Sequence, residues 1–117
     1  MEHATKTVPV PDLGIDFEVL SDDEIIGPSI TAGGWEEHET RLFKAHLSPG
    51  CRVLDLGANI GWFAVQAVLA GAEVDAFEPV PHIADVLERN VARAMKRGTG
   101  KARVHRFAAG AESGSAE

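Results

Sequence analysis

Val53-Leu54-Asp55-Leu56-Gly57-Ala58-Asn59-Ile60-Gly61-Trp62-Phe63 carries a strand, a turn and the start of a helix in one unbroken stretch. Val53 to Leu56 is a short apolar run, suited to a strand covered on both faces of a parallel sheet. Gly57 and Gly61 let the chain turn sharply and leave no Cβ in the way of a ligand. Gly61 to Ala70 is apolar almost all round and stops at Gly71, which predicts a buried helix with a glycine C-cap. Glu73 to Phe77 predicts a second strand. It ends at Glu78-Pro79, so an acidic residue follows the glycine turn at a spacing of about twenty residues.

Downstream, Ile83, Leu87, Val91 and Ala94 mark an amphipathic helix ending at Gly98, and Arg103 to Phe107 predicts a third strand before a Gly/Ser/Ala-rich tail. Strand, helix, strand, helix, strand with short links implies an α/β fold: a Rossmann-like parallel sheet with flanking helices and right-handed crossovers. Upstream signals are weaker. Residues 1–11, with prolines at 9 and 11, read as a frayed lead-in. Phe17 to Leu20 reads as a short strand, and Glu24 to Ile30 as another strand or a turn of helix. Gly33-Gly34 breaks the chain. Trp35, Leu42, Phe43 and Leu47 then have loose helical spacing up to Ser48-Pro49-Gly50. The expected organisation is a lead-in over 1–34 and a partial ligand-binding domain over 35–117.

At 117 residues, with 44% hydrophobic and 25% charged residues, the chain has the balance of one soluble domain. Its net charge of -7 argues against a general nucleic-acid binder, because phosphate binding favours a basic surface. Arg89, Arg93, Lys96 and Arg97 do share one helix face. An anion patch is one reading; cations solvated near a helix C-terminus, where the macrodipole favours them, is the plainer one. Cys51 is the only cysteine, which excludes an intrachain disulfide and suits a reducing, cytoplasmic compartment. It lacks the Cys or His neighbours of a metal site, so no metal is expected and a small buried role is. No stretch approaches the roughly 18 apolar residues of a membrane span, and the N-terminus lacks the apolar core of a signal peptide.

In open parallel sheets, ligands lie beyond the carboxyl ends of the strands, near helix N-termini. Free amides over Ile60 to Phe63 would face an anionic group. Asp55 could accept from an ammonium or from turn amides, and Glu78 could take both hydroxyls of a ribose. A dinucleotide fingerprint needs glycine where Asn59 and Trp62 stand, and no Gly-Lys-Ser/Thr follows to make a P-loop. A smaller ligand with a carboxylate and an ammonium, such as S-adenosylmethionine, fits better. The alternative is that both glycines serve tight packing, with Asp55 and Glu78 as caps. An unpaired buried Asp55 would be costly, however.

V-L-D-L-G-A-N-I-G-W-F (53–63) and A-F-E-P-V-P (76–81), supported by G-G-W-E (33–36) and P-G (49–50), resemble the first half of a class I S-adenosylmethionine-dependent methyltransferase of the FkbM family. The resemblance spans about residues 30 to 117. It implies methyl transfer, commonly to a hydroxyl oxygen of a sugar, polyketide or other small metabolite. It also implies that Gly57 to Gly61 contact the methionine part of the cofactor while Glu78 holds the ribose. The expected cofactor-binding set is Asp55, Gly57, Ala58, Asn59, Ile60, Gly61, Trp62, Glu78 and Pro79. Family members carry further strands after the third, so the chain is expected to be a truncated or split form. Its first strand would be an exposed apolar edge, partnered by a missing C-terminal half or a second copy.

A hydroxyl acceptor would benefit from a general base, and His38 is the one candidate, although a solvent-facing helical histidine is commoner. His82 and His105 read as structural, and His3 and His46 offer nothing. Trp35 and Trp62 could line the pocket, but aromatics beside a glycine turn are more often core. Two further readings compete: a non-catalytic nucleoside-binding or oligomerising module, and a dinucleotide oxidoreductase, which Asn59 and Trp62 oppose.

Overall fold

A computed structural model describes residues 4–21 and 37–108. The expectations for His3, Glu24 to Ile30, Gly33-Gly34, Trp35, Glu36 and the tail after residue 108 lie outside them. The elements in chain order are β1 (Thr5–Val10), β2 (Ile15–Leu20), α1 (Glu37–Ala45), β3 (Arg52–Leu56), α2 (Trp62–Leu69), β4 (Glu73–Phe77), α3 (Pro81–Arg97) and β5 (Lys101–His105).

β3, β4 and β5 form a parallel sheet in that order, with Asp55 beside Ala76 and Leu56 beside Phe77. Among the described residues the glycine-turn strand therefore lies at the edge of this sheet. Two right-handed crossovers that step the same way across a sheet place both helices on one face. Burial reports that placement. Val74 and Ala76 are buried in the core with Val65, Val68, Leu87 and Val91, and Val53, Ala102 and Val104 pack against it. On the opposite face Leu54 and Leu56 are 69% and 63% exposed. The expectation of a strand covered on both faces is thus corrected. The apolar run is real, but α2 and α3 cover only alternate residues of it.

The supposedly frayed lead-in is also corrected. Thr5–Val10 is a strand, paired antiparallel with Ile15–Leu20. Val8 and Val10 alternate inward, and Phe17 and Val19 are fully buried. Alternation of this kind gives a hairpin one apolar face, and β2 lays it on α3. The hairpin and the helical layer thereby share one core.

α2 follows its prediction closely, with Ala70 at its C-cap and Gly71 just beyond at φ +91°. α1 is shorter than the predicted segment, at least among the described residues. Phe43 meets Phe63 of α2 edge-on, with ring centroids 5.2 Å apart. β5 begins two residues earlier than expected. The Gly100 amide donates to the Val68 carbonyl (3.1 Å) and the Lys101 amide to that of Ala72 (3.0 Å), so pairing starts immediately after the glycine. Phe107 has left the strand and meets Phe77 edge-on at 5.7 Å.

Gly100 allows this close approach because it has no Cβ. One built there would press on the Val68 and Ala72 carbonyl oxygens more closely than real Cβ atoms come to any neighbour. Both obstacles are backbone and cannot swing aside. Gly100→Ala should therefore cost about 1–3 kcal/mol, as overpacking does. A urea midpoint equal to that of the unsubstituted chain would refute the contact.

Candidate functional site

The turn after β3 is shaped by the tip of β4. The amides of Gly57 and Ala58 both donate to the Phe77 carbonyl, at 3.0 and 2.9 Å. Gly57, Asn59 and Gly61 have φ of +74°, +56° and +102°. Asn is among the few residues that accept this left-handed region, so it can stand between two glycines. The two glycines are required for different reasons. A Cβ on Gly57 would meet nothing within 4 Å, so the turn opens onto free space there. A Cβ on Gly61 would come within 2.9 Å of Leu87 Cδ1, so this glycine lets α2 approach α3.

Glu78 is 6% exposed at the end of β4. Its Oε1 accepts the Asn59 N–H at 2.7 Å and its Oε2 the Val80 N–H at 3.3 Å. Each carboxylate oxygen can accept a second hydrogen bond, so acceptor capacity remains. Of the other turn amides, that of Gly61 donates to the Ala58 carbonyl at 3.1 Å, while those of Ile60 and Trp62 meet no acceptor among the described residues.

Asp55 is the anomaly of the site. Its Oδ2 is buried and has no hydrogen-bond partner. Burial, followed by the negative charge of Glu78, pushes its pKa up to about 6. Two acidic groups thus lie close enough to act on one another. The electrostatically natural partner for the unpaired oxygen is a positive charge or a hydroxyl.

The remaining predicted residues divide plainly. Ala58, Ile60 and Trp62 are almost fully buried by their side chains and offer the site only backbone. For Trp62 this corrects the idea of a pocket-lining ring. Its indole N–H donates to Thr40 Oγ1 at 2.9 Å and its ring stands edge-on to Phe17 at 5.8 Å. Pro79 is exposed just beyond Glu78. His38 is exposed on α1, two residues before the inward-facing Thr40 and so roughly 200° around the helix from it. His105 bonds through Nε2 to Asp75 Oδ1 at 2.8 Å and stacks on Phe77, outside the turn. Cys51 is half-buried, with Sγ accepting the Ser48 N–H at 3.5 Å. Among the described residues no His/Cys/Asp/Glu group is arranged to hold a metal, and no helix is long and apolar enough to cross a membrane.

Sequence reasoning missed Glu18 and Asn90. Arg89 grips Glu18 through two bonds of 2.8 and 2.7 Å, so part of the basic face on α3 is an anchor for the hairpin. Asn90 is fully buried, donates to the Ile60 carbonyl at 2.7 Å and to the Glu18 carbonyl at 3.0 Å, and accepts the Glu18 amide at 2.8 Å. The available signal was its position, a polar residue three after Leu87 and four before Ala94, on the apolar stripe itself.

The shifted carboxyl yields a pH prediction. The folded chain keeps a proton on Asp55 up to about pH 6, whereas the ordinary value is 3.8. Folding therefore takes up a proton in that window, and the stability tied to it is lost as pH rises from about 4 to about 6. The shift corresponds to roughly 3 kcal/mol. Asp55→Asn should flatten this part of the melting-temperature profile and raise stability above pH 6. A profile as steep as that of the unsubstituted chain would contradict the assignment.

No family model matches the chain, and no curated protein matches it. Solved structures resemble it. The P. horikoshii protein TYW2, crystallised in complex with MeSAdo, is 22% identical with a TM-score of 0.58, over 79% of this chain and 33% of that one. A putative transferase from Pyrococcus horikoshii gives 22% identity and 0.57, with the same coverage. An S-adenosylmethionine-dependent methyltransferase from Agrobacterium tumefaciens is 17% identical with a TM-score of 0.62, over 87% of this chain and 32% of that one. The chain spans about a third of the length of these proteins. What it shares with them is the fold, a Rossmann-like α/β arrangement.

Proposed function

We propose that this chain is the cofactor-binding part of an S-adenosylmethionine-dependent methyltransferase of FkbM type, acting on a hydroxyl of a small metabolite or sugar. The observation that carries the reading is the orphaned Asp55 Oδ2 beside the open turn at Gly57. A buried acceptor without a donor is costly, and the ammonium of an amino-acid ligand would relieve it. The unpaired amides of Ile60 and Trp62 would receive the ligand carboxylate, and the spare acceptor sites of Glu78 the ribose hydroxyls. When bound, the sulfonium supplies an electrophilic methyl group. The chain's own contribution is orientation, which is most of what an in-line displacement requires. His38 receives no step in this reading, because its exposure gives it no link to the turn. A lone Cys51 fits a cytoplasmic setting. The acceptor would be bound largely by chain beyond these elements, supplied by further sequence or a second copy.

Calorimetric titration with S-adenosylhomocysteine and with NAD tests the reading. The first should bind and the second should not; the reverse would replace methyl transfer by dinucleotide chemistry. Glu78→Ala should weaken S-adenosylhomocysteine binding by about 10–100-fold, the scale of a lost charge-assisted hydrogen bond. Unchanged affinity would remove Glu78 from the site.

A second reading, a non-catalytic oligomerising module, is favoured by Leu54 and Leu56, exposed on the edge strand β3. Under it, light scattering should detect a dimer that Leu56→Lys converts to monomer. A monomer before substitution would dismiss it.

A further inference from the structure

We propose that Asn90 is a positioning residue for the glycine turn, and that through it the β1–β2 hairpin holds the turn's amides in their binding orientation. The inference rests on the cofactor reading only for the identity of the ligand.

A side-chain amide has two N–H donors and two acceptor lone pairs. In Asn90 all four are used. Nδ2 donates to the carbonyls of Ile60 (2.7 Å) and Glu18 (3.0 Å), while Oδ1 accepts the Glu18 N–H (2.8 Å) and Arg93 Nη1 (3.1 Å). The residue is 0% exposed, so water cannot substitute for any partner. The Ile60 carbonyl belongs to the peptide plane leading into Gly61, and the neighbouring amides, of Ile60 and Trp62, are those left without acceptors. The N–H in that plane is Gly61's, and the amides of Ile60 and Trp62 lie one peptide plane to either side, so anchoring it from Asn90 limits how far those two planes can rotate. Within the turn that plane is held by one bond, from the Gly61 N–H to the Ala58 carbonyl (3.1 Å), and Asn90 adds the second, on the carbonyl side, next to a Gly61 whose φ of +102° lies where only glycine rotates freely.

The other end of the network is rigid. Glu18 carries a doubly bonded Arg89 on its carboxylate, and Arg93 approaches the same group at 3.5 Å. Backbone and side chain of one hairpin residue are therefore both tied to α3, and the Asn90 amide passes that constraint to Ile60. An apolar residue of similar volume at position 90 would fill the space but leave two carbonyls and an amide without partners.

The test compares Asn90→Ala with Val91→Ala in the full chain. Val91 is a neighbouring core residue, 2% exposed, that bonds nothing in the turn. Amide hydrogen exchange at Asn59 and Gly61, the bonded amides of the turn, is measured alongside S-adenosylhomocysteine affinity, at a temperature where both variants are folded. Asn90→Ala should speed exchange at these amides at least tenfold beyond the change elsewhere and weaken binding at least tenfold. Val91→Ala, at a similar loss of melting temperature, should leave both within twofold. Equal behaviour of the two variants would overturn the proposal. If the unsubstituted chain binds no S-adenosylhomocysteine, the cofactor reading falls and the exchange data alone decide the role of Asn90. Should Asn90→Ala not fold, through-bond coupling from Asn90 Nδ2 to the Ile60 carbonyl carbon in the unsubstituted chain decides: its presence supports the proposal and its absence overturns it.

Discussion

The Asn59 amide donates to Glu78 across 2.7 Å and nineteen residues of sequence, and much of the site follows from that bond. A carboxylate accepting a backbone N–H in a nearly closed environment is a strong, short interaction. It joins the two amides already held by the Phe77 carbonyl, so the turn after β3 is moulded on the end of β4. One acidic group is thereby well satisfied and the other is left with an unpartnered oxygen and a raised pKa. The asymmetry arises from backbone geometry: amides reach Glu78 and none reaches Asp55 Oδ2.

The same strand order leaves the molecule one-sided. Both crossover helices and the N-terminal hairpin gather over one face of the sheet, where nearly all the large buried side chains lie. On the other face, Leu56, Phe77 and His105 form a row in register, continued by Phe107. The next row sets Leu54 beside Asp75 and Arg103, and Asp75 is held below its ordinary pKa, first by the His105 hydrogen bond and also by Arg103. Such a surface has apolar residues where a second layer would pack, with charged ones toward the start of the strands. Exposed leucines on a sheet edge are a liability in water, and natural sheets usually cover them.

The hairpin connects these two themes. It completes the core over α3 with Phe17 and Val19, and it reaches the turn through Glu18 and Asn90. A segment that looks peripheral along the chain is therefore bonded, through Asn90, to the turn after β3. Its alternating Val8, Val10, Phe17 and Val19 follow the simplest strand pattern, yet prolines at 9 and 11 obscured it. Pro9 is harmless in a two-stranded ribbon, where each strand keeps one unpaired side.

Local chemistry made much of this protein readable in one dimension. The strand–turn–helix at 53–69, the second strand ending at Glu78 and the helix closing at Gly98 were all legible, because apolar periodicity, glycine and proline act over a few residues. The positions of Asp55, Gly57 and Glu78 could be named for the same reason. Three-dimensional packing settled matters no periodicity encodes. Strand order decides which face of an apolar strand is covered, and so why Leu54 and Leu56 face water. A contact across 72 residues decides that Glu18 meets Asn90, and one across 22 residues turns Trp62 inward to Thr40 while only its amide stays near the site. Burial and hydrogen bonding depend on which distant atoms arrive, and that is a property of the assembled chain.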